Sequence, residues 1–152
     1  MNNASQQRLT KVHPELATRV KSLIESLAEQ GYVIEVVQGL RTFAEQDELF
    51  RQGRSKPGQV VTNAKGGQSN HNYGLAVDLC PFVNNKPKWD AGPKVWFAIG
   101  TEATKRGLEW GGNWKKFIDK PHVQLPGLTV TQCFSIFKQD GLQGVWDAVP
   151  QI

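Results

Sequence analysis

The segment GGQSNHNYGLAVDL, residues 66–79, sets Ser69, His71 and Asp78 between paired glycines and an apolar run. Asp78 interrupts a hydrophobic strand pattern, and a carboxylate in such a place needs a partner. Three residues could supply one: His71, His122 and Asp119. One aspartate and two histidines converging on a point match a three-ligand zinc site whose fourth position holds water, which is the open arrangement of a catalytic zinc and not the closed one of a structural zinc. Zinc lowers the pKa of its water to about 7, so a hydroxide nucleophile becomes available at neutral pH. Asp119 opens the segment DKPH, where the chain can curl back toward that water. It is the candidate general base, a role worth on the order of 10²–10⁴ in rate. His13, beside Pro14, has no spaced carboxylate and reads as an ordinary polar residue.

These side chains need particular elements to hold them. His71 lies just before a strand and Asp78 upon it, so a bend at Gly74 must bring both to one metal. In LAVDLCPF, Leu75, Val77 and Leu79 face one side, while Ala76, Asp78 and Cys80 face the other. Pro121 argues against a helix at DKPH and so against an HExxH arrangement; a short strand is expected at 122–125. YVIEVVQG, residues 32–39, is β-rich, and TFAEQDELFRQG then opens with Thr42 and Glu45 in capping-box spacing. Gln38 and Arg41 therefore sit on a strand-to-helix corner, where Arg41 could also pair with Glu45 on the following helix.

Residues 53–74 read as one long polar, glycine-rich loop, of a length that is usually functional or disordered. Amphipathic spacing predicts a helix over 14–30, started by Pro14 and stopped by Gly31, and a second over 93–106, stopped by Gly107. From residue 129, Val130, Cys133, Phe134 and Phe137 recur at helical spacing, followed by an irregular end. Trp110 and Trp114 bracket GGN and could line a groove for glycan or peptide, although aromatic rings more often pack in cores. Trp89, Trp96 and Trp146 are assigned to packing.

The chain has 152 residues, enough for one domain with a sizeable core. Its composition, 39% hydrophobic and 21% charged with 15 Gly and 8 Pro, is that of a loop-rich globular protein. The two cysteines, Cys80 and Cys133, form no CxxC pair, which argues against a thiolate zinc site or a disulfide framework; a single bridge between them stays open. The N-terminus lacks an apolar signal core and no run approaches a membrane span, so synthesis as a cytosolic protein is expected. A net charge of +4 favours polyanionic partners, either nucleic acid or an anionic bacterial envelope.

SNHNYGLAVD fits the pattern S-x-H-x-x-G-x-A-x-D, and DKPH fits D-x-x-H. Together they resemble the zinc peptidases that group D-Ala-D-Ala carboxypeptidases, lysostaphin-like enzymes and the hedgehog signalling domain. VVQGLRTFAEQDELFRQGR, VTNAKGGQSNHNYGLAVDLC and EWGGNWKKFIDKPH resemble more closely still the L-alanyl-D-glutamate endopeptidases of bacteriophage endolysins and cell-wall hydrolases. The resemblance covers about residues 14–125 and leaves 126–152 as a C-terminal helix and tail. It implies an α+β fold, with a small central antiparallel sheet and flanking helices like those of hedgehog and the D-Ala-D-Ala peptidases.

Residue by residue, the resemblance implies that His71, Asp78 and His122 bind zinc and that Asp119 is the base. Arg41 would hold a substrate carbonyl or carboxylate, with Ser69 and Gln38 lining the site; Trp110, from its place beside GGN, is the further candidate for contacting substrate. The substrate would be bacterial peptidoglycan, cut between L-Ala and D-Glu by a monomer with no nucleic-acid or membrane partner, made in an infected cytoplasm and released to the wall by a holin. Carboxypeptidase relatives use Glu as base, so Asp119 favours the endopeptidase branch. Gln124 departs from the pattern, standing where many relatives carry a Glu expected to hydrogen-bond a ligand. The rival readings are a D-Ala-D-Ala carboxypeptidase, a non-catalytic zinc-binding module of the hedgehog type, and an HNH-like nuclease suggested by NHN at 70–72 and the basic charge.

Overall fold

Helix α2 (Pro14–Glu29) forms where the apolar recurrence predicts it, and Leu16, Val20, Leu23, Ile24 and Leu27 are all buried. Both ends are chemically closed. His13 Nδ1 accepts the Glu15 N–H at 3.0 Å ahead of Pro14. At the other end Gly31, with φ 91°, lets its own N–H and that of Tyr32 return to the carbonyls of Ala28 and Leu27. The computed structural model describes residues 1–151; Ile152, the last residue of the expected tail, lies outside the described residues.

Strands β1 (Ile34–Gln38), β2 (Ala76–Val83), β3 (Lys86–Pro87), β4 (Glu109–Trp110) and β5 (His122–Gln124) form an antiparallel sheet of order β1-β2-β5-β4, with β3 paired to β2 alone. With α2 and α4 (Pro93–Lys105) packed together beside the sheet, this is the expected α+β architecture. β5 ends one residue short of the expected span, and α4 starts at Pro93 behind an N-cap at Gly92. Ala76, Val77, Leu79 and Cys80 are all buried, so both faces of β2 are covered around Asp78.

Helix α1 (Asn3–Leu9) is absent from the sequence expectations. It covers the edge strand β1, where an unpaired ladder would otherwise face water. Ser5 Oγ donates to the buried Glu35 carboxylate at 3.2 Å and accepts the Val36 N–H at 2.8 Å, while Arg8 donates to the Val36 carbonyl. Helix α3 (Phe43–Arg51) carries the expected capping box between Thr42 and Glu45. Helix α5 (Val130–Ala148) is longer than the expected tail helix and is broken at Gly141, whose φ of 70° and ψ of −168° are not helical. The break returns Trp146 to the body, where its Nε1 donates to the Tyr73 carbonyl at 2.8 Å. Cys80 and Cys133 are both buried and free. Among the described residues, no helix is long and apolar enough to cross a membrane.

Candidate active site

The long loop after α3 ends in a short 3-10 turn, Asn70–Tyr73, closed by Gly74 at φ 65°. This is the bend that His71 and Asp78 require. The turn is locked by Asn72, a buried residue that the sequence reading passed over. Its Oδ1 accepts the N–H groups of Gly67 and Ser69, and its Nδ2 donates to the carbonyls of Arg41 and Thr42. Tyr73 adds a 2.6 Å bond from its hydroxyl to the Gly67 carbonyl, and burial pushes that hydroxyl's pKa up to about 12. The site's first histidine is thus held by a turn pinned through Asn72 and Tyr73, while the Asn70 Oδ1 in the same turn is buried without a partner.

Sheet register supplies the rest. Asp78 pairs with Gln38 on β1 and with His122 on β5, so the three residues lie in one row across adjacent strands. Asp78 Oδ1 lies 3.3 Å from His71 Nε2 and 3.6 Å from His122 Nδ1, and it has no hydrogen-bond partner despite being buried. One donor atom from each of the three side chains lies within 4.8 Å of the others. Around a tetrahedral ion with bonds of about 2.0–2.2 Å, neighbouring ligand atoms stand roughly 3.3–3.6 Å apart. The carboxylate oxygen therefore stands from each ring nitrogen at the spacing of ligands around an ion, and the three side chains fit a metal.

The ring nitrogens are assigned by their outer partners. His71 Nδ1–H donates to the Gly39 carbonyl at 3.0 Å, which leaves Nε2 facing Asp78. His122 Nε2–H donates to Gln124 Oε1 at 2.7 Å, which leaves Nδ1 facing it. Gln124 thus makes the ligand-orienting hydrogen bond that its departure from Glu put in question.

Asp119 reaches the site from the loop after β4, with Oδ2 at 3.8 Å from His122 Nδ1. Its N–H bonds the Gly111 carbonyl at 3.0 Å, and the chains run so close that a Cβ on Gly111 would sit 2.3 Å from the Asp119 carbonyl oxygen. Only glycine permits that approach. Arg41 points inward: Nη2 lies 3.9 Å from Asp78 Oδ2, and Nη1 donates to Gln46 Oε1 at 2.8 Å. Gln46, fully buried and also missed in the sequence, passes its amide N–H to the Ala64 carbonyl and so ties Arg41 to the loop wall.

The electrostatics follow from this crowding. Burial works against the charge on Asp78, but the attraction of His122 and His71 overrides it and holds the carboxyl below its ordinary range. Burial would likewise lower the His122 pKa, and Asp78, together with Gln124 and Asp119, raises it beyond that loss. Asp119 is displaced upward by burial and by the negative charge of Asp78, against a partial pull downward from His122, His71 and Arg41. Burial lowers the Arg41 pKa, and the charges of Asp78, Glu45 and Asp119 offset part of the drop.

These groups line a cleft of about 1280 Å³ together with Gln38, Ser69 and Trp114. Ser69 Oγ accepts the His71 N–H at 3.2 Å, so it caps the turn while facing the cleft. Trp110 is a correction: it does not line the cleft and is only 5% exposed. Its Nε1 donates to the Lys120 carbonyl at 2.7 Å, and its ring packs against Phe97 and the backbone of Gly100 and Gly112. The sequence cannot show that two glycines open a slot for it. Trp114 is the tryptophan of the pair that reaches the cleft.

The fold and this donor set define a peptidase class. Residues 62–125 match the family profile described as D-alanyl-D-alanine carboxypeptidase, and the chain belongs to that peptidase family. Within it, the chain is 39% identical over 122 residues to the peptidoglycan L-alanyl-D-glutamate endopeptidase CwlK of Bacillus subtilis (strain 168), a match covering 75% of this chain and 73% of that protein. The crystal structure of the Serratia marcescens L-Ala D-Glu endopeptidase ChiX is similar at 29% identity and a TM-score of 0.60, covering 83% of this chain and 89% of that one. The vancomycin-resistance D,D-pentapeptidase VanY, solved with Zn(II), shares the fold at 17% identity and a TM-score of 0.55, over 85% of this chain and 80% of its own.

Proposed function

We propose that this protein is a zinc-dependent peptidoglycan endopeptidase that hydrolyses the L-Ala–D-Glu bond of the stem peptide. The observation that carries the reading is the buried, unpartnered Asp78 Oδ1 between His71 Nε2 and His122 Nδ1, with Asp119 and Arg41 in the same cleft. The choice of bond is supported by the identity to CwlK and the likeness to ChiX.

His71, Asp78 and His122 would hold the zinc. Bound there, zinc supplies Lewis acidity toward a carbonyl oxygen and makes water acidic enough to attack at neutral pH. Asp119 takes the proton of the attacking water on its carboxylate and returns it to the leaving amide nitrogen, and its upward-shifted pKa suits both halves of that task. Arg41, held by Gln46, presents its guanidinium to the oxygen that becomes anionic or to a substrate carboxylate. Gln38 and Ser69 line the cleft within reach of substrate polar groups.

Mass spectrometry of muropeptides after incubation of purified peptidoglycan with the zinc-loaded protein tests the reading. New N-terminal D-Glu, with L-Ala left on the muramyl side, is expected; release of D-Ala would move the protein to the carboxypeptidases, and no release from several wall types would favour a non-catalytic module. The reading includes host lysis as a phage endolysin, made in the cytoplasm and reaching the wall through a holin. It is supported by the resemblance of the segments bearing Arg41, His71 and His122 to phage endolysins, and lysis on co-expression with a holin tests it.

A further inference from the structure

A glutamine beside a metal-binding histidine is ambivalent. Its amide can turn either the oxygen or the NH₂ toward the ring, and the two orientations select opposite tautomers. A glutamate at the same place could only accept and would need no help. Gln124 sits on β5 two residues after His122, with Oε1 at 2.7 Å from His122 Nε2 and Nε2 at 3.2 Å from Glu109 Oε2. Glu109 pairs with Gln124 across the β4–β5 ladder, so the register places its carboxylate beside the amide.

An ionised carboxylate has no proton to give, so Glu109 can engage only the NH₂ end of Gln124. Engaging that end turns the amide oxygen to His122. The oxygen then requires the ring proton on Nε2 and leaves the Nδ1 lone pair facing Asp78. The same Glu109 Oε2 accepts the Trp114 Nε1–H at 3.0 Å, and the Trp114 ring lies 5.0 Å from that of His122 and lines the cleft.

We propose that Glu109 is a positioning residue: it acts through Gln124 to fix the tautomer and ring plane of His122, and through Trp114 to hold one wall of the cleft. The inference rests on the reading of His122 as a metal ligand. Glu109 does not itself touch the metal position; it supplies the orientation that a glutamate at 124 would carry alone.

The experiment uses the full chain with zinc, measuring affinity by competition with a chromophoric chelator and ring-nitrogen states by long-range ¹H–¹⁵N spectra. With only three histidines, the spectra are readily assigned. In the zinc-loaded protein, His122 is expected to carry its proton on Nε2, and His71 to carry its proton on Nδ1. Glu109→Ala is expected to weaken zinc binding on the order of 10-fold, within the range that outer partners of metal ligands show, and to add a second set of His122 signals. Adding Gln124→Glu to Glu109→Ala is expected to restore both readouts, because an acceptor-only side chain again faces Nε2; a generic loss of packing would not be rescued this way. Thermal unfolding of the metal-free variants checks that the fold is retained. Wild-type affinity in Glu109→Ala, or failure of the double variant to recover, overturns this inference and leaves the endopeptidase reading standing. A wild-type protein that binds no zinc overturns both.

Discussion

Trp110 separates a structural role from a substrate-binding one, and replacing it with alanine gives a large effect in only one direction. Its indole is 5% exposed, and a buried aromatic of this kind removes about 150–250 Å² from water. At about 25 cal/mol per Å² the truncation forfeits roughly 4–6 kcal/mol, and the bond from Nε1 to the Lys120 carbonyl is lost with it. Gly100 and Gly112 pack so tightly on the ring that a Cβ at either would lie 2.2 Å from a ring carbon. No side chain at those positions can swing in to fill the hole, so little of the loss is recovered by collapse. The alanine keeps its Cβ and the unfolded chain already shields part of the ring, so the expected cost of Trp110→Ala is about 3–5 kcal/mol. For a domain of this size that lowers Tm by roughly 6–20 °C, measurable by circular dichroism. KM for muropeptides, taken well below the new Tm, should stay within about twofold of wild type. A Tm within about 3 °C of wild type together with a several-fold rise in KM would return Trp110 to the substrate and refute the packing account.

Zinc at 1,000 times its Kd should stabilise the wild type by about 4 kcal/mol, and Asp78→Asn or His71→Ala should abolish that gain; melting curves with and without zinc decide it. Asp119→Asn should retain stoichiometric zinc by elemental analysis while losing on the order of 10²–10⁴ in kcat, and an active variant would remove Asp119 as the base. Glu102, which accepts a hydrogen bond from Ser26 and, despite its burial, is further held by Lys105 and Arg106, has its pKa lowered from 4.5 to about 2. A depressed carboxylate stabilises the fold above its unfolded pKa, and that stabilisation drains away as pH falls from about 4.5 toward 2. Glu102→Gln should flatten the acid limb of the Tm-against-pH curve, and an unchanged limb would place acid lability elsewhere.

The donor set was legible because its chemistry is carried by residue type and short spacing. His71, Gly74 and Asp78 occupy one segment, and Pro121 leaves an extended strand as the natural home of His122. Helices α2 and α3 were legible for a similar local reason, since caps and apolar recurrence lie within a few turns. What was missed depends on distant chain. Helix α1 is short and mostly polar, and it is explained by a carboxylate on β1, Glu35, that needs Ser5 and the Asn2 N–H. Asn72 and Gln46 look like ordinary loop and helix residues until the 39–42 corner and the 62–64 loop close over them. Trp110 and Trp114 are alike in sequence context, and only the arrival of Gly100 from α4 decides which is walled in.

The row formed by Gln38, Asp78 and His122 across β1, β2 and β5 also dictates when the site can come into being. A chain emerging from the ribosome exposes β1, then the turn bearing His71 and the strand bearing Asp78, well before β5 is made. Until β5 docks, one histidine and one carboxylate face an open groove with two ligands at most, too few for tight capture of a four-coordinate metal. The pairing that brings in His122 joins residues 78 and 122, a long-range contact whose loop-closure entropy must be met before it forms. The nascent protein would therefore hold metal only weakly until its sheet is complete, so tight uptake of the ion would report that folding has finished.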